Sequence, residues 1–230
     1  MGPLHTRGGR TLLVLRQGFD THRAISPSVK TQIGVMGSAG GEITEAQLDV
    51  ARRIGRRIAE SDCVIVTGAC PGLPHEAVLG AHEAGGWSLG VSPAHSREEH
   101  VEVFASPLQP YSAIVFTGSG LMGREVHNVH SSDFVIFVGG RSGTLGEFSI
   151  AYDEGKLIGI LRDSGGISND LSGIAKLVHK ATGAAIVEDD DPERLVSTCL
   201  QRYRAENRTS SVALGKQAER MTAMAQDARG

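Results

Sequence analysis

The chain has 230 residues, of which 40% are hydrophobic and 21% are charged, which is typical of one globular domain with short extensions. Its formal net charge of -3 at pH 7 gives no reason to expect a nucleic acid or an anionic membrane surface as a partner. Three cysteines are too few for a disulfide framework, and no apolar run approaches the ~18 residues of a membrane span. We therefore expect a soluble protein in a reducing, cytoplasmic setting.

The two ends of the chain differ in composition from its middle. Residues 1–30 contain five Arg or Lys residues against one Asp, and several glycines interrupt them. This composition predicts a basic, flexible N-terminal extension, with a targeting peptide as the alternative. Residues 207–230 are polar and rich in Ala and Arg, so we predict a C-terminal tail outside the core. The folded domain is then expected at 31–206.

Within that domain, short apolar segments alternate with segments of helical periodicity. Strands are predicted at 33–36, 63–67, 87–91, 113–116 (an edge strand), 134–138, 157–161 and 185–187. Helices are predicted at 45–60, 75–84, 124–131, 144–155, 171–182 and 191–204, with an irregular segment at 94–112. Continuous apolar strands between helices are typical of a parallel sheet that is covered on both faces. The sequence therefore predicts a single α/β domain with a doubly wound, Rossmann-like parallel sheet.

Three glycine-rich turns, at 37–41, 68–72 and 139–143, follow predicted strands. In doubly wound sheets ligands bind beyond the carboxyl ends of the strands, where these turns meet. Glycines let the backbone approach a ligand, and free amides at a helix start attract anions. The alternative is a set of purely structural turns. The predicted phosphate-binding residues are Gly37, Ser38, Gly68, Gly72, Gly139, Gly140, Arg141, Ser142, Gly143 and Thr144.

These turns fit neither of the common nucleotide motifs. A Walker loop needs a Lys after its glycine, and none is present. The turn at 37–41 lacks the glycine spacing of a dinucleotide fingerprint, and no acidic residue ends a second strand about twenty residues later. The predicted phosphate site is therefore of another kind.

Glu147 is predicted one turn into the helix that follows the third glycine turn. Its structural alternatives are a favourable charge near the helix N-terminus and a capping-box partner for Thr144. The functional hypothesis places the carboxylate against the sugar of a bound nucleotide, where it stabilises positive charge on a ribosyl transition state.

A set of motifs is spread over the middle of the chain: Met122-Gly123-Arg124, Asp133 nine residues after the Arg, Gly139-Gly140-x-x-Gly143-Thr144-x-x-Glu147, and the second glycine loop at 68–73. Together these motifs resemble the Lonely Guy (LOG) family of the SLOG nucleotide-binding superfamily, whose members often carry the older name lysine decarboxylase-like. The resemblance covers about residues 33–190. It implies a phosphoribohydrolase that cleaves a nucleoside 5′-monophosphate into free base and ribose 5-phosphate, without a required cofactor. It further implies catalytic roles for Arg124 and Glu147 and a homodimer or larger homo-oligomer.

Three departures separate this chain from the LOG pattern. Val138 stands where the family usually has Pro, the loop carries one additional residue at 141–142, and Glu125 replaces the Lys that follows the motif Arg. The chain thus resembles a divergent branch, which is related to the molybdenum cofactor carrier proteins that bind their ligand without cleaving it. The alternatives to a hydrolase are therefore a carrier of a nucleotide-like or molybdopterin-type phosphorylated cofactor, and a nucleotide sensor.

Several other residues invite functional hypotheses, but structural roles are expected for them. Asp133 is predicted to cap or pair with a neighbour, and Trp87 and Phe134 are predicted to lie in the core. His127 and His130 lack the further ligands that zinc needs, so no metal site is expected.

Cys70 is either a nucleophile beside His75 or, as we expect, a small side chain lining a loop. A decarboxylase is rejected, because none of the five lysines lies in a glycine-rich loop suited to pyridoxal phosphate.

Overall fold

The computed structural model describes residues 29–207, so nearly all of the predicted basic extension and polar tail lies outside the described residues. Within that range seven strands form one parallel sheet in the order β4-β3-β2-β1-β5-β6-β7. The strands are β1 (Gln32–Gly37), β2 (Val64–Thr67), β3 (Trp87–Ser92), β4 (Ala113–Phe116), β5 (Phe134–Val138), β6 (Leu157–Leu161) and β7 (Ala185–Asp189). The predicted doubly wound α/β fold is confirmed, and β4 lies at one edge.

Helices cover both faces of the sheet. They are α1 (Glu45–Glu60), α2 (Leu73–Glu83), α3 (Arg97–Glu102), α4 (Gly120–His130), α5 (Ser142–Asp153), α6 (Leu171–Val178) and α7 (192–207), with a 3-10 turn at Gly166–Asn169. One buried cluster joins α1, α2 and α7 to the sheet, and a second joins α4, α5 and α6 to the opposite face. Strand β5 contributes side chains to both clusters, because its successive side chains point to opposite faces of the sheet.

Close packing of α1 on α2 depends on two glycines. A Cβ at Gly55 would lie 1.7 Å from the carbonyl oxygen of Ala77, and one at Gly80 would lie 1.9 Å from the carbonyl oxygen of Arg52. Any larger side chain would force the helices apart. The start of α1 is set by Thr44, which forms a capping box with Gln47.

The structure corrects the sequence predictions at four places. Helix α3 occupies part of the segment predicted to be irregular, and α4 begins at Gly120, four residues before its predicted start. Helix α6 ends at Val178 because His179 adopts a left-handed conformation with φ of 51°. Trp87 was predicted to be buried but is 60% exposed, whereas Phe134 is buried as predicted.

The chain order places a crevice at the carboxyl ends of β1, β2 and β5. After β1 the chain builds β2, β3 and β4 on one side, then returns to add β5 on the other side of β1. Such a switch in strand order is where doubly wound sheets bind ligands, and all three glycine-rich turns lie there. None of the helices within residues 29–207 is long and apolar enough to cross a membrane.

Candidate functional site

A cavity of about 370 Å³ opens in this crevice, a volume within the usual range of small-molecule sites. Its walls come from the ends of β1 and β2, from one face of α4 and from the start of α5. The predicted site residues that line it are Gly37, Ser38, Gly68, Arg124, Arg141, Ser142, Gly143, Thr144 and Glu147. Leu121, Met122, Glu125 and Asn128 also line it, although the sequence did not indicate them as site residues.

The first turn of α5 forms one end of the cavity, and it is suited to an anion. No side chain among residues 29–207 caps this helix, so the amides of Ser142, Gly143 and Thr144 remain available as donors. The exposed side chain of Arg141 lies beside the β1 turn, with a guanidinium nitrogen 3.6 Å from the position of a Cβ on Gly41. Arg141 forms no ion pair with any residue between 29 and 207. We call this feature, made of Arg141 and the α5 amides, the anion end.

Two of the predicted donors already have partners within the protein. The Gly140 amide donates to Ser38 Oγ at 2.8 Å, and the Gly139 amide donates to Ser164 Oγ at 2.9 Å. Gly139 and Gly140 also have positive φ values of 61° and 100°, which glycine adopts without strain. They shape the loop behind the cavity wall, as does Gly72, whose Cβ would lie 2.2 Å from the Ser38 carbonyl oxygen.

Glu147 forms the floor of the cavity together with Arg124 and Asn128. Its Oε1 accepts a hydrogen bond from Asn128 Nδ2 at 2.9 Å and lies 3.4 Å from Arg124 Nη1. Neither contact uses Oε2. Nε of Arg124 and Oδ1 of Asn128 are buried and have no hydrogen-bond partner within residues 29–207, so the floor retains an unpaired donor and an unpaired acceptor. Asn128 is not among the residues predicted from the sequence; its spacing of four residues from Arg124, one helical turn, is the signal that would have indicated it.

Burial raises the pKa of Glu147 to about 7, while Arg124 and then Asn128 act in the opposite direction. The carboxyl therefore exchanges its proton near neutral pH, as acid and base groups at functional sites often do. The capping-box hypothesis for Glu147 is wrong. Thr144 is the third residue of α5 rather than its cap, and the carboxylate bonds to α4 instead.

Gly68 creates the space that Arg124 occupies. A Cβ at Gly68 would lie 1.8 Å from Arg124 Nη1 and 2.5 Å from its Cζ. The guanidinium thus passes directly over the second glycine turn before it reaches Glu147. A glycine that looks like part of a phosphate loop in the sequence has a different role here, because it admits a cation to the floor.

Glu125 packs against the first turn of α5. Its Oε1 lies 3.1 Å from the position of a Cβ on Gly143, and its Oε2 lies 2.6 Å from that on Gly146. Burial raises the pKa of Glu125, and Arg124 opposes the shift. An acidic group at this place weakens the attraction of the anion end for a phosphate.

The other sequence candidates have structural roles. Asp133 accepts hydrogen bonds from the Gln32 amide and the Tyr203 hydroxyl, both at 2.7 Å, so the structural prediction is confirmed. Cys70 lines the cavity, and burial raises the pKa of its thiol to about 11, which disfavours the nucleophilic thiolate. His130 contacts Glu154, and residues 29–207 contain no cluster of three or more His, Cys, Asp or Glu residues placed to bind a metal.

A model of the SLOG cluster4 family matches residues 30–196. The chain belongs to the SLOG cluster4 family. The resemblance to the SLOG superfamily that the motifs around Arg124 and Glu147 indicated is thereby confirmed. In this SLOG cluster4 protein the match covers every strand of the sheet and the whole cavity.

Three known proteins are similar to this SLOG cluster4 chain. An uncharacterized protein of Archaeoglobus fulgidus is 35% identical over 131 residues, which are 57% of this chain and 80% of that protein. The structure of the molybdenum cofactor carrier protein from Chlamydomonas reinhardtii has 26% identity and a TM-score of 0.62, over 76% of this chain and 99% of that one. The molybdenum cofactor binding protein from Rippkaea orientalis has 28% identity and a TM-score of 0.61, over 76% and 98%.

Proposed function

We propose that this SLOG cluster4 protein binds a small phosphorylated, nucleotide-like ligand and acts as its binder or carrier. The observation that carries the proposal is the uncapped start of α5 beside Arg141, in a cavity whose polar floor is formed by Glu147, Arg124 and Asn128. The α5 amides and the guanidinium of Arg141 hold the phosphate. The floor hydrogen-bonds the hydroxyl or N–H groups of the ligand through Oε2 of Glu147.

Two features favour binding over cleavage. A carboxylate that stabilises an oxocarbenium-like transition state has to be ionised, whereas the pKa of Glu147 is raised to about 7 by burial. Glu125 adds a negative charge beside the anion end, where the resembling hydrolases carry a Lys. Both features weaken transition-state stabilisation while leaving a shaped cavity for a ligand.

A phosphorylated, molybdopterin-type cofactor belongs to the ligand class of this proposal, since two similar structures are those of molybdenum cofactor carrier or binding proteins. The residues of this cavity fit the phosphate of such a group. They do not offer a metal-binding cluster, because residues 29–207 have none with three or more His, Cys, Asp or Glu side chains. Such a cofactor would thus be held at the anion end through its phosphate.

A nucleoside 5′-monophosphate phosphoribohydrolase is the second candidate. It is favoured by Arg124 lying 3.4 Å from a Glu147 carboxylate that lines the cavity. In this reaction water adds to the anomeric carbon as the N-glycosidic bond breaks, and the products are free base and ribose 5-phosphate. Glu147 contacts the ribose hydroxyls, and Arg124 assists the departing base. We propose a homodimer for either function, as the family resemblance implies.

Calorimetry and chromatography on the same samples separate these functions. Wild-type protein is titrated with inorganic phosphate, ribose 5-phosphate and nucleoside 5′-monophosphates, and each mixture is then analysed for released base. We expect binding without release, and about tenfold weaker binding in Arg141→Ala, because one charge-assisted contact is worth about 1.5 kcal/mol or more. Arg162→Ala, which changes an exposed arginine of the loop after β6, is the matched control.

If the wild-type protein releases free base and Glu147→Gln does not, the proposed function is that of the hydrolase and not that of the carrier. No binding of any phosphorylated compound would overturn both functions.

A further inference from the structure

The mouth of the cavity carries two large apolar side chains that the fold leaves in solvent. Leu121 and Met122 lie on the first turn of α4, where they are 57% and 70% exposed. Both line the cavity. We call this pair the lip. Exposed apolar groups that border a polar cavity are typical of a binding surface.

The lip and the floor belong to one face of α4. Leu121, Arg124 or Glu125, and Asn128 are spaced by three or four residues, so their side chains follow one another along the helix. Exposure falls from 57% at Leu121 to 0% at Asn128. Seven residues at the rise of an α-helix span about 10 Å. The cavity therefore has an apolar mouth about 10 Å along α4 from a polar floor.

The two regions offer different chemistry to a ligand. The charged side chains that line the cavity belong to the floor, to the anion end or to Glu125 beside it, and none belongs to the lip: Arg124, Glu125, Arg141 and Glu147. The side chains of the lip offer a branched hydrocarbon and a thioether, which pack against a flat ring but donate no hydrogen bond. A ring placed at the lip is held by contact area, whereas a sugar at the floor and a phosphate at the anion end are held by directed polar contacts.

We propose that the lip holds the planar ring of the ligand and that the site selects its ribose phosphate, with little discrimination among bases. The ligand class is that of 5′-phosphorylated ribosides. This inference rests on the proposed binding function and deepens it. Discrimination between bases requires hydrogen bonds to their edges, and the lip side chains provide none.

The test is a comparison of dissociation constants by calorimetry for AMP, GMP, CMP, UMP and ribose 5-phosphate. In wild type we expect the four nucleotides to agree within about threefold and to bind about tenfold more tightly than ribose 5-phosphate, as burial of one ring face implies. The double variant Leu121→Ser, Met122→Ser should bind each nucleotide as weakly as ribose 5-phosphate and leave ribose 5-phosphate unaffected. Leu177→Ser, which changes a 75% exposed leucine on α6, is the matched control.

Three results would overturn the inference while the proposed function stands. The first is that the wild-type protein prefers one base over the others by more than about tenfold. The second is that the double variant binds ribose 5-phosphate more weakly by the same factor as it does the nucleotides. The third is that the double variant has a changed sedimentation coefficient but an unchanged affinity for nucleotides. The last result would assign the lip to contacts with a second copy of the chain. A wild-type protein that binds neither ribose 5-phosphate nor inorganic phosphate would overturn the proposed function itself.

Discussion

Replacing Gly68 by alanine perturbs the floor of the cavity without changing any polar group in it. The new Cβ would lie 1.8 Å from Nη1 of Arg124, a separation that real contacts do not reach. The backbone tolerates the change, because Gly68 lies outside the left-handed region. The atoms in conflict belong to the end of a long side chain, so the Arg124 guanidinium is displaced and the backbone stays in place.

The cost of this displacement follows from the distance between the two charges. Nη1 of Arg124 lies 3.4 Å from Oε1 of Glu147, and both side chains are about nine-tenths buried. Removing one partner of a buried pair costs about 3–5 kcal/mol, and a displaced guanidinium keeps part of the attraction, so we expect a loss of about 1–3 kcal/mol. Because Arg124 lowers the pKa of Glu147, that pKa should rise above its present value of about 7. Ligands that contact the floor should bind about tenfold more weakly.

Carbon-detected NMR of the glutamate carboxyls measures the titration of Glu147, and calorimetry with ribose 5-phosphate measures binding. Gly173→Ala on α6 is the matched control, because a Cβ there meets nothing within 4 Å. An unchanged titration midpoint for Glu147 in Gly68→Ala, with unchanged affinity, would contradict this prediction. It would mean that the position of the Arg124 guanidinium does not control the charge on the floor.

Three further predictions concern charge and packing. The pKa of Glu147 is raised from 4.5 to about 7, so the folded state holds the proton of this carboxyl more tightly than the unfolded state does. The free energy of unfolding should therefore fall by up to about 3 kcal/mol as the pH rises from 4.5 through about 7. Denaturant titrations at pH 5 and pH 8 should show that Glu147→Gln removes much of this fall. Glu125→Gln should tighten ribose 5-phosphate binding about fivefold in calorimetry, whereas exposed Glu188→Gln should not, since a like charge near a helix N-terminus costs about 1 kcal/mol. Gly55→Ala should destabilise the protein by about 2 kcal/mol or more in urea, because its Cβ would lie 1.7 Å from a backbone oxygen of α2, whereas Gly173→Ala should not.

Strands were predicted well where burial is complete on both faces. Every residue of β5 and β6 is buried, and an uninterrupted apolar run is the pattern that such strands need. Helix α3 is not predicted from the sequence, because only His100 of its six residues is buried and the segment therefore has almost no apolar periodicity. Trp87 was predicted wrongly because its place at the start of a strand says nothing about which neighbours cover it.

The position of the cavity could be predicted from the sequence, but the hydrogen bonding around it could not. Parallel strands bring their following turns to one edge, so three glycine turns sufficed to locate the cavity. The amides that remain free depend on partners that are distant in the sequence. The Gly140 amide, for example, donates its hydrogen bond to Ser38, which lies 102 residues earlier in the chain. The role of Gly68 likewise depends on Arg124, which reaches it from another helix.

In the proposed function, the charges of the cavity link phosphate binding to the protonation of Glu147. With both carboxylates ionised, Glu125 and Glu147 balance the guanidinium groups of Arg124 and Arg141, so the doubly charged phosphate of a ligand enters a site without net positive charge. A nearby anion raises the pKa of a carboxyl, and Glu147 already titrates at about 7. Phosphate at the anion end therefore favours the protonated form of Glu147. A protonated carboxyl donates a hydrogen bond to the ligand but offers no charge to a ribosyl cation, so under the proposed function an occupied anion end favours retention of the ligand over its hydrolysis.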